Sequence, residues 1–178
     1  MRVAIVSTYR PRPCGIAVFS SDLRSALLEA DSSLSVEIVS IVRDDPLSHP
    51  PEVVAAIHQD VASDYAATAS ELNRRGVDVV LVEHEYGIFG GDYGSYILKL
   101  SNELRVPMAI TLHTVLAHAE PDRAAVLQVL CERAALVMVF TETARRMVVE
   151  QRLAEFDKVR VVPHGAPDEL TQAAWSDL

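Results

Sequence analysis

Strand and helix signals alternate along this chain almost from end to end, and that alternation constrains its fold more than any other feature. Parallel strands need crossover connections, so a βαβα chain folds into a parallel sheet with helices on both faces. Arg2–Ser7 is a short β-branched apolar run, the mark of a strand buried on both faces. Gly15–Ala30 carries Ile16, Phe19, Leu23, Ala26, Leu27 and Ala30 at helical spacing. Residues 34–42 read as a second strand and 43–51 as a polar, proline-containing loop. A long helix is predicted next, with Val54, Ile57, Val61, Tyr65, Thr68 and Leu72 on one stripe and Gly76 closing it.

The second half repeats the pattern. Residues 77–83 form a predicted strand, 87–94 a glycine-rich loop, 93–104 a helix and 107–113 a strand. Residues 121–134 form a helix with Pro121 in its first turn. Residues 136–140 are a strand, Thr141 caps a helix running to about residue 153, and 158–163 are the last strand. The expectation is an α/β fold, a three-layer α/β/α sandwich with a mostly parallel sheet. It occupies residues 1–166, with 167–178 as a linker or tail.

Bulk properties exclude several function classes. A net charge of -9 argues against nucleic-acid binding, which needs a basic surface to replace counterions. Arg145, Arg146 and Arg152 share one predicted helix and read as its solvated face. No apolar run approaches the roughly 20 residues that span a bilayer. The first residues are too short an apolar core for a signal peptide, which points to the cytoplasm. Cys14 and Cys131 lack metal-like or redox spacing and are expected to be free thiols.

In an open parallel sheet, ligands bind beyond the carboxyl ends of the strands. His84, His113 and His164, three of the six histidines, fall at predicted strand ends. The first loop, Ser7-Thr8-Tyr9-Arg10-Pro11-Arg12-Pro13-Cys14-Gly15-Ile16, leads into a helix N-terminus. A glycine and free N–H groups there suit a diphosphate, contacted by Cys14, Gly15 and Ile16. A helix-starting glycine that binds nothing explains the same residues. Neither a G-x-G-x-x-G fingerprint nor a Walker loop is present.

An imidazole at His113 is suited to bonding a sugar hydroxyl or phosphate oxygen, or to being satisfied by neighbouring backbone. Glu83, His84 and Glu85 are poorly placed as metal ligands, because neighbours on a strand point to opposite faces, and no metal is expected. The run His84-Glu85-Tyr86-Gly87-Ile88-Phe89-Gly90-Gly91 suits a mobile, glycine-hinged loop along an acceptor site, or a tight strand-to-helix connection. Thr141 and Glu142 bring a hydroxyl and a carboxylate to the same edge, although helix capping alone accounts for them.

Four motifs in this order resemble the retaining glycosyltransferases of family 4. They are Pro13-Cys14-Gly15-Ile16-Ala17, Glu83-His84-Glu85-Tyr86-Gly87-Ile88-Phe89-Gly90-Gly91, Thr111-Leu112-His113-Thr114, and Val161-Val162-Pro163-His164-Gly165. The resemblance spans residues 1–168 and implies one Rossmann-like half of a GT-B architecture. It implies a nucleotide-diphosphate-sugar donor, a hydroxyl acceptor, a metal-independent site without a cofactor, and retention of configuration. Carried over by position, Gly15 brings its N–H to the diphosphate and His113 is the catalytic residue that contacts the transferred sugar or its phosphate. Tyr9, Arg10, His84, Glu85, Tyr86, Gly90, Gly91, Thr141 and Glu142 fall on the acceptor side or cleft, and His164 and Gly165 at the interdomain edge.

The C-terminal glycosyltransferase domain of such enzymes does not follow within the 178 residues. The expectation is therefore half an active site, inactive as an isolated piece. The alternatives are a non-catalytic sugar-nucleotide-binding or assembly module, and an unrelated nucleotide-binding domain such as half of an epimerase.

Overall fold

The apolar runs become strands and the periodic segments helices. The structure, a computed structural model, describes residues 1–43 and 48–165. In chain order these are β1 (Arg2–Ser7), α1 (Gly15–Ala30), β2 (Ser35–Val42), β3 (Val53–His58), α2 (Ala62–Arg75) and β4 (Val79–His84). There follow α3 (Ile97–Glu103), β5 (Met108–Leu112), α4 (Pro121–Arg133), β6 (Leu136–Val139), α5 (Glu142–Glu150) and β7 (Val159–Val161). The seven strands lie in the order β3-β2-β1-β4-β5-β6-β7, and every neighbouring pair is parallel. This is a Rossmann-like α/β fold.

Alternation along each strand sends side chains to two cores. Val3, Ile5, Val36, Ile38 and Leu81 meet Leu23 and Leu27 of α1 on one face. Ala4, Val6, Val80, Val82, Ile110 and Val137 meet α2, α3, α4 and α5 on the other, through Tyr65, Leu72, Leu100, Leu130 and Val148. Each fully buried Leu, Ile or Val contributes about 1.5–3 kcal/mol. The ends are closed as the sequence predicts. Thr141 Oγ1 accepts from the Ala144 N–H at 3.0 Å, Pro121 opens α4, and Gly76 ends α2 at φ 67°.

Two stretches differ from the sequence reading. The predicted long helix begins as β3, because the outer edge of β2 needs a partner and Val53-Val54-Ala55-Ala56-Ile57 supplies one. Ile41 pairs with Ile57 and Val42 with His58. The stripe continues correctly on α2, where Tyr65, Thr68 and Leu72 are buried. The Asp64 carboxylate accepts from the His58 N–H at 3.0 Å and lies 2.7 Å from Nδ1, closing the turn between strand and helix. The helix expected from residue 93 starts at Ile97 instead. Tyr93 at φ 55° and Gly94 at φ 80° break the helical path before it.

Both cysteines are free, with Cys131 buried against α4's neighbours. Among the described residues no helix is long and apolar enough to cross a membrane. The segment read as a linker, 167–178, lies outside the described residues.

Candidate functional site

The strand order reverses between β1 and β4, so the loops leaving Ser7 and His84 emerge side by side at the carboxyl edge. Thr8 is fully buried, with Oγ1 3.1 Å from Cys14 Sγ. That sulfur accepts from the Ala17 N–H at 3.4 Å and so caps α1. Ser20 Oγ, buried on α1, lies 2.6 Å from Ser7 Oγ and 2.8 Å from the Ile16 carbonyl. These bonds seat the first turns of α1 against β1, and no acidic residue occupies the first turn. Ile16 is half-buried and Gly15 is exposed. A Cβ placed on Gly15 meets nothing within 4 Å, so the space over this positive helix end is open.

β5 delivers His113 to the same corner. Its N–H donates to the His84 carbonyl at 3.0 Å, extending the β4–β5 ladder past Leu112. Its Nε2 lies 2.8 Å from Glu83 Oε2, with the two side chains only 7% and 0% exposed. Thr111 Oγ1 donates to Glu83 Oε1 at 3.2 Å. Glu83 and Thr111 are register partners, and the strand period sets Thr111 and His113 on one face. The His113 ring stands edge-on to Phe19 at 4.7 Å and to Phe140 at 5.1 Å between centroids. His164 completes the cluster, 5.1 Å from Phe19 and 4.9 Å from Phe140. Four rings thus tie the second turn of α1 to the ends of β5, β6 and β7.

The segment after β4 is pinned. Gly90 is buried, its N–H donates to the Tyr65 hydroxyl at 3.0 Å, and that hydroxyl donates to the Gln59 carbonyl at 2.8 Å. Arg43 and Gln59 both donate to the Gly87 carbonyl, at 3.1 and 3.0 Å. Gly91, at φ 76°, faces the Tyr96 ring. The glycines therefore serve close packing and left-handed turns, where the sequence reading had offered a mobile hinge or a tight connection. Burial pushes the Tyr65 hydroxyl up to about 12.

Glu85 is tied on both oxygens, to the Tyr86 N–H at 2.7 Å and the Thr114 hydroxyl at 2.6 Å. Arg123 lies over the rings of Tyr86 and Tyr93, at 5.2 and 5.5 Å. His84 is buried beside Tyr86 and Phe89, and its Nδ1 finds no partner among the described residues. Burial, then the nearby His113, pushes its pKa down to about 4, so it stays neutral.

The structure brings Cys14, Gly15, Ile16, His84, Glu85, Tyr86 and His113 to one edge. Tyr9 and Arg10 turn elsewhere. Tyr9 is 2% exposed in the α1-side core, and its hydroxyl and the Arg10 guanidinium both bind Glu52 Oε1, at 2.9 and 2.7 Å. The Arg10 hydrogen bond is the main reason that the Glu52 carboxyl is held down to about 2. Thr141 is occupied in capping α5, and Glu142 pairs with Arg145 at 2.8 Å. His164 and Gly165 are exposed past β7. A depression of about 300 Å³ lined by Ser70, Asn73, Arg74, Glu103, Arg105 and Val106 lies at the opposite, amino-terminal edge. Sequence reasoning missed Phe19 and Phe140 as a ring clamp and Glu83 as the partner of His113. The alternation that puts Glu83 and Thr111 on one face was the available signal.

No family model matches the chain, and no curated protein does. Solved structures match it. An alpha-glucosyltransferase in complex with UDP-glucose and DNA containing an abasic site matches at TM-score 0.67 and 14% identity, over 97% of this chain and 45% of that one. UDP-N-acetylglucosamine 2-epimerase from Rickettsia bellii matches at TM-score 0.63 and 12% identity, over 98% of this chain and 47% of that one. The lipopolysaccharide outer core galactosyltransferase WaaB, in its apo form, matches at TM-score 0.61 and 12% identity, over 92% and 45%. The chain spans a little under half the length of these structures. At such identities the likeness is one of fold.

Proposed function

We propose that this chain is the N-terminal, acceptor-side half of a retaining, metal-independent glycosyltransferase of GT-B architecture. It serves to move a sugar from a nucleotide-diphosphate-sugar to an acceptor hydroxyl, in the cytoplasm, once a second domain completes the cleft. The observation that carries this reading is the convergence of His113 and the open first turn of α1 on one corner, at the strand-order reversal. The fold likeness to proteins solved with UDP or UDP-glucose supports it.

The chemistry fits the parts. Departure of a nucleotide diphosphate develops negative charge, which a helix N-terminus and fixed donors stabilise without a metal. Gly15 admits the diphosphate close to the backbone, and His113 orients the sugar. Glu85 and Tyr86, fixed by Thr114 and Arg123, border the acceptor. His164 and Gly165 mark the edge toward the second domain. The DNA belongs to the glucosyltransferase complexes, and a net charge of -9 argues against a nucleic-acid acceptor here.

Titrating UDP into the chain while following backbone amide resonances tests the site. Gly15, Ile16 and His113 are expected to move together at millimolar UDP, and shifts confined to the opposite edge overturn the assignment. Gly15→Val is expected to leave stability within about 0.5 kcal/mol, since the added atoms enter open space. The same change removes the UDP response by crowding the diphosphate. In a protein carrying both halves, His113→Ala is expected to lower turnover per folded molecule at least about tenfold. Unchanged turnover takes His113 out of the mechanism.

The match to a 2-epimerase favours one second reading, half of a sugar-nucleotide epimerase. Product analysis separates the two. Epimerisation of free nucleotide sugar with no acceptor present supports the second reading, and acceptor-dependent transfer supports the first.

A further inference from the structure

Glu83 is the one carboxylate that is fully buried among the described residues. A buried carboxylate is costly unless donors satisfy it, and an apolar residue would fill this strand position without that cost. Its donors are the Thr111 hydroxyl at 3.2 Å and the His113 ring at 2.8 Å. With Glu83 as the acceptor for both, the proton of the second contact sits on the His113 nitrogen that faces it, Nε2. Phe19 and Phe140, both edge-on to the imidazole, hold the ring in that orientation. The two nitrogens of a histidine are distinct, and the bond made by one decides what the other offers.

We propose that Glu83 is a positioning residue: it fixes His113 with the proton on Nε2 and so reserves Nδ1 for the bound nucleotide-sugar. A neutral imidazole held this way presents Nδ1 as an acceptor for a sugar hydroxyl. Without Glu83 the ring stays clamped by Phe19 and Phe140 but is free to exchange tautomers, and Nδ1 loses that definition. Carboxylates that hold an imidazole in one tautomer are worth orders of magnitude in other enzymes. This deepens the reading of His113 as a donor contact, and it rests on that reading only for the ligand.

Long-range ¹⁵N spectra of the labelled chain, recorded at alkaline pH where imidazoles are neutral, give the tautomer directly. Wild-type His113 is expected to show the proton on Nε2. Glu83→Gln keeps the shape but offers an amide that can donate, and the pattern is expected to become mixed or to switch to Nδ1. Thr111→Val removes the other donor and keeps the carboxylate, so Nε2 protonation is expected to persist there. A wild-type ring protonated on Nδ1, or an identical pattern in Glu83→Gln, overturns the proposal even if a variant is poorly folded. Binding of UDP-sugar is read in parallel, with a loss of at least about tenfold expected in Glu83→Gln. A switched tautomer with unchanged binding keeps Glu83 as the positioning group and instead removes His113 from the proposed donor site.

Discussion

Gly90→Ala is expected to destabilise the protein by about 3 kcal/mol or more and lower Tm by about 10 °C. A Cβ at Gly90 would stand 1.9 Å from the Gln59 carbonyl oxygen and 2.8 Å from its carbon. The obstacle is backbone and cannot rotate away. Moving it also breaks the chain of bonds from the Gly90 N–H through the Tyr65 hydroxyl to Gln59. Those bonds are buried, so each lost partner leaves a polar group unsatisfied. Thermal unfolding of Gly90→Ala beside Gly15→Ala, whose added methyl meets open space, checks this. A Tm for Gly90→Ala within about 2 °C of wild type would show that the loop after β4 is not seated on Gln59.

The second large effect is a pH dependence of stability from His84. Its folded pKa of about 4 lies below the ordinary 6.5, because burial disfavours the charged ring. The unfolded chain therefore binds more protons than the folded one between these values. Stability is full above pH 6.5, falls as pH drops toward 4, and levels off below. The loss attributable to this residue is about 3 kcal/mol across that window. His84→Phe keeps a ring beside Tyr86 and Phe89 and removes the titration. Denaturant unfolding of both proteins at pH 7.5 and pH 4 measures the difference. Equal pH slopes for wild type and His84→Phe would place the acid sensitivity elsewhere.

Both effects come from residues singled out in the sequence, yet for reasons that the sequence did not display. Gly90 was legible as part of a glycine-rich segment after a strand. Its role in packing depends on Gln59 and Tyr65, which precede it by 31 and 25 residues in the chain. His84 was legible as a strand end, whereas its burial follows from the aromatic side chains that fold over it. Tyr9 shows the reverse case. Its position in the first loop suggested a cleft residue, but Glu52 arrives on the strand side and draws its hydroxyl and Arg10 away. The β3 strand was hidden because Val54, Ile57 and Val61 satisfy a helical spacing as well as a strand run. Only the unpaired edge of β2 decides between them.

What the sequence determined by itself is local and periodic. Strand alternation, helix stripes, the Thr141 cap, the Pro121 start and the Gly76 end all depend on residues within a turn or two of each other. From these the α/β class and the loops at the carboxyl edge follow. The tertiary structure decided the strand order, the clamp of Phe19 and Phe140 on His113, and the pairing of Glu83 with His113 across 30 residues. Such contacts depend on which strands become neighbours and in what register. A periodic pattern can say which face a residue occupies, but only the assembled sheet says what that face will meet.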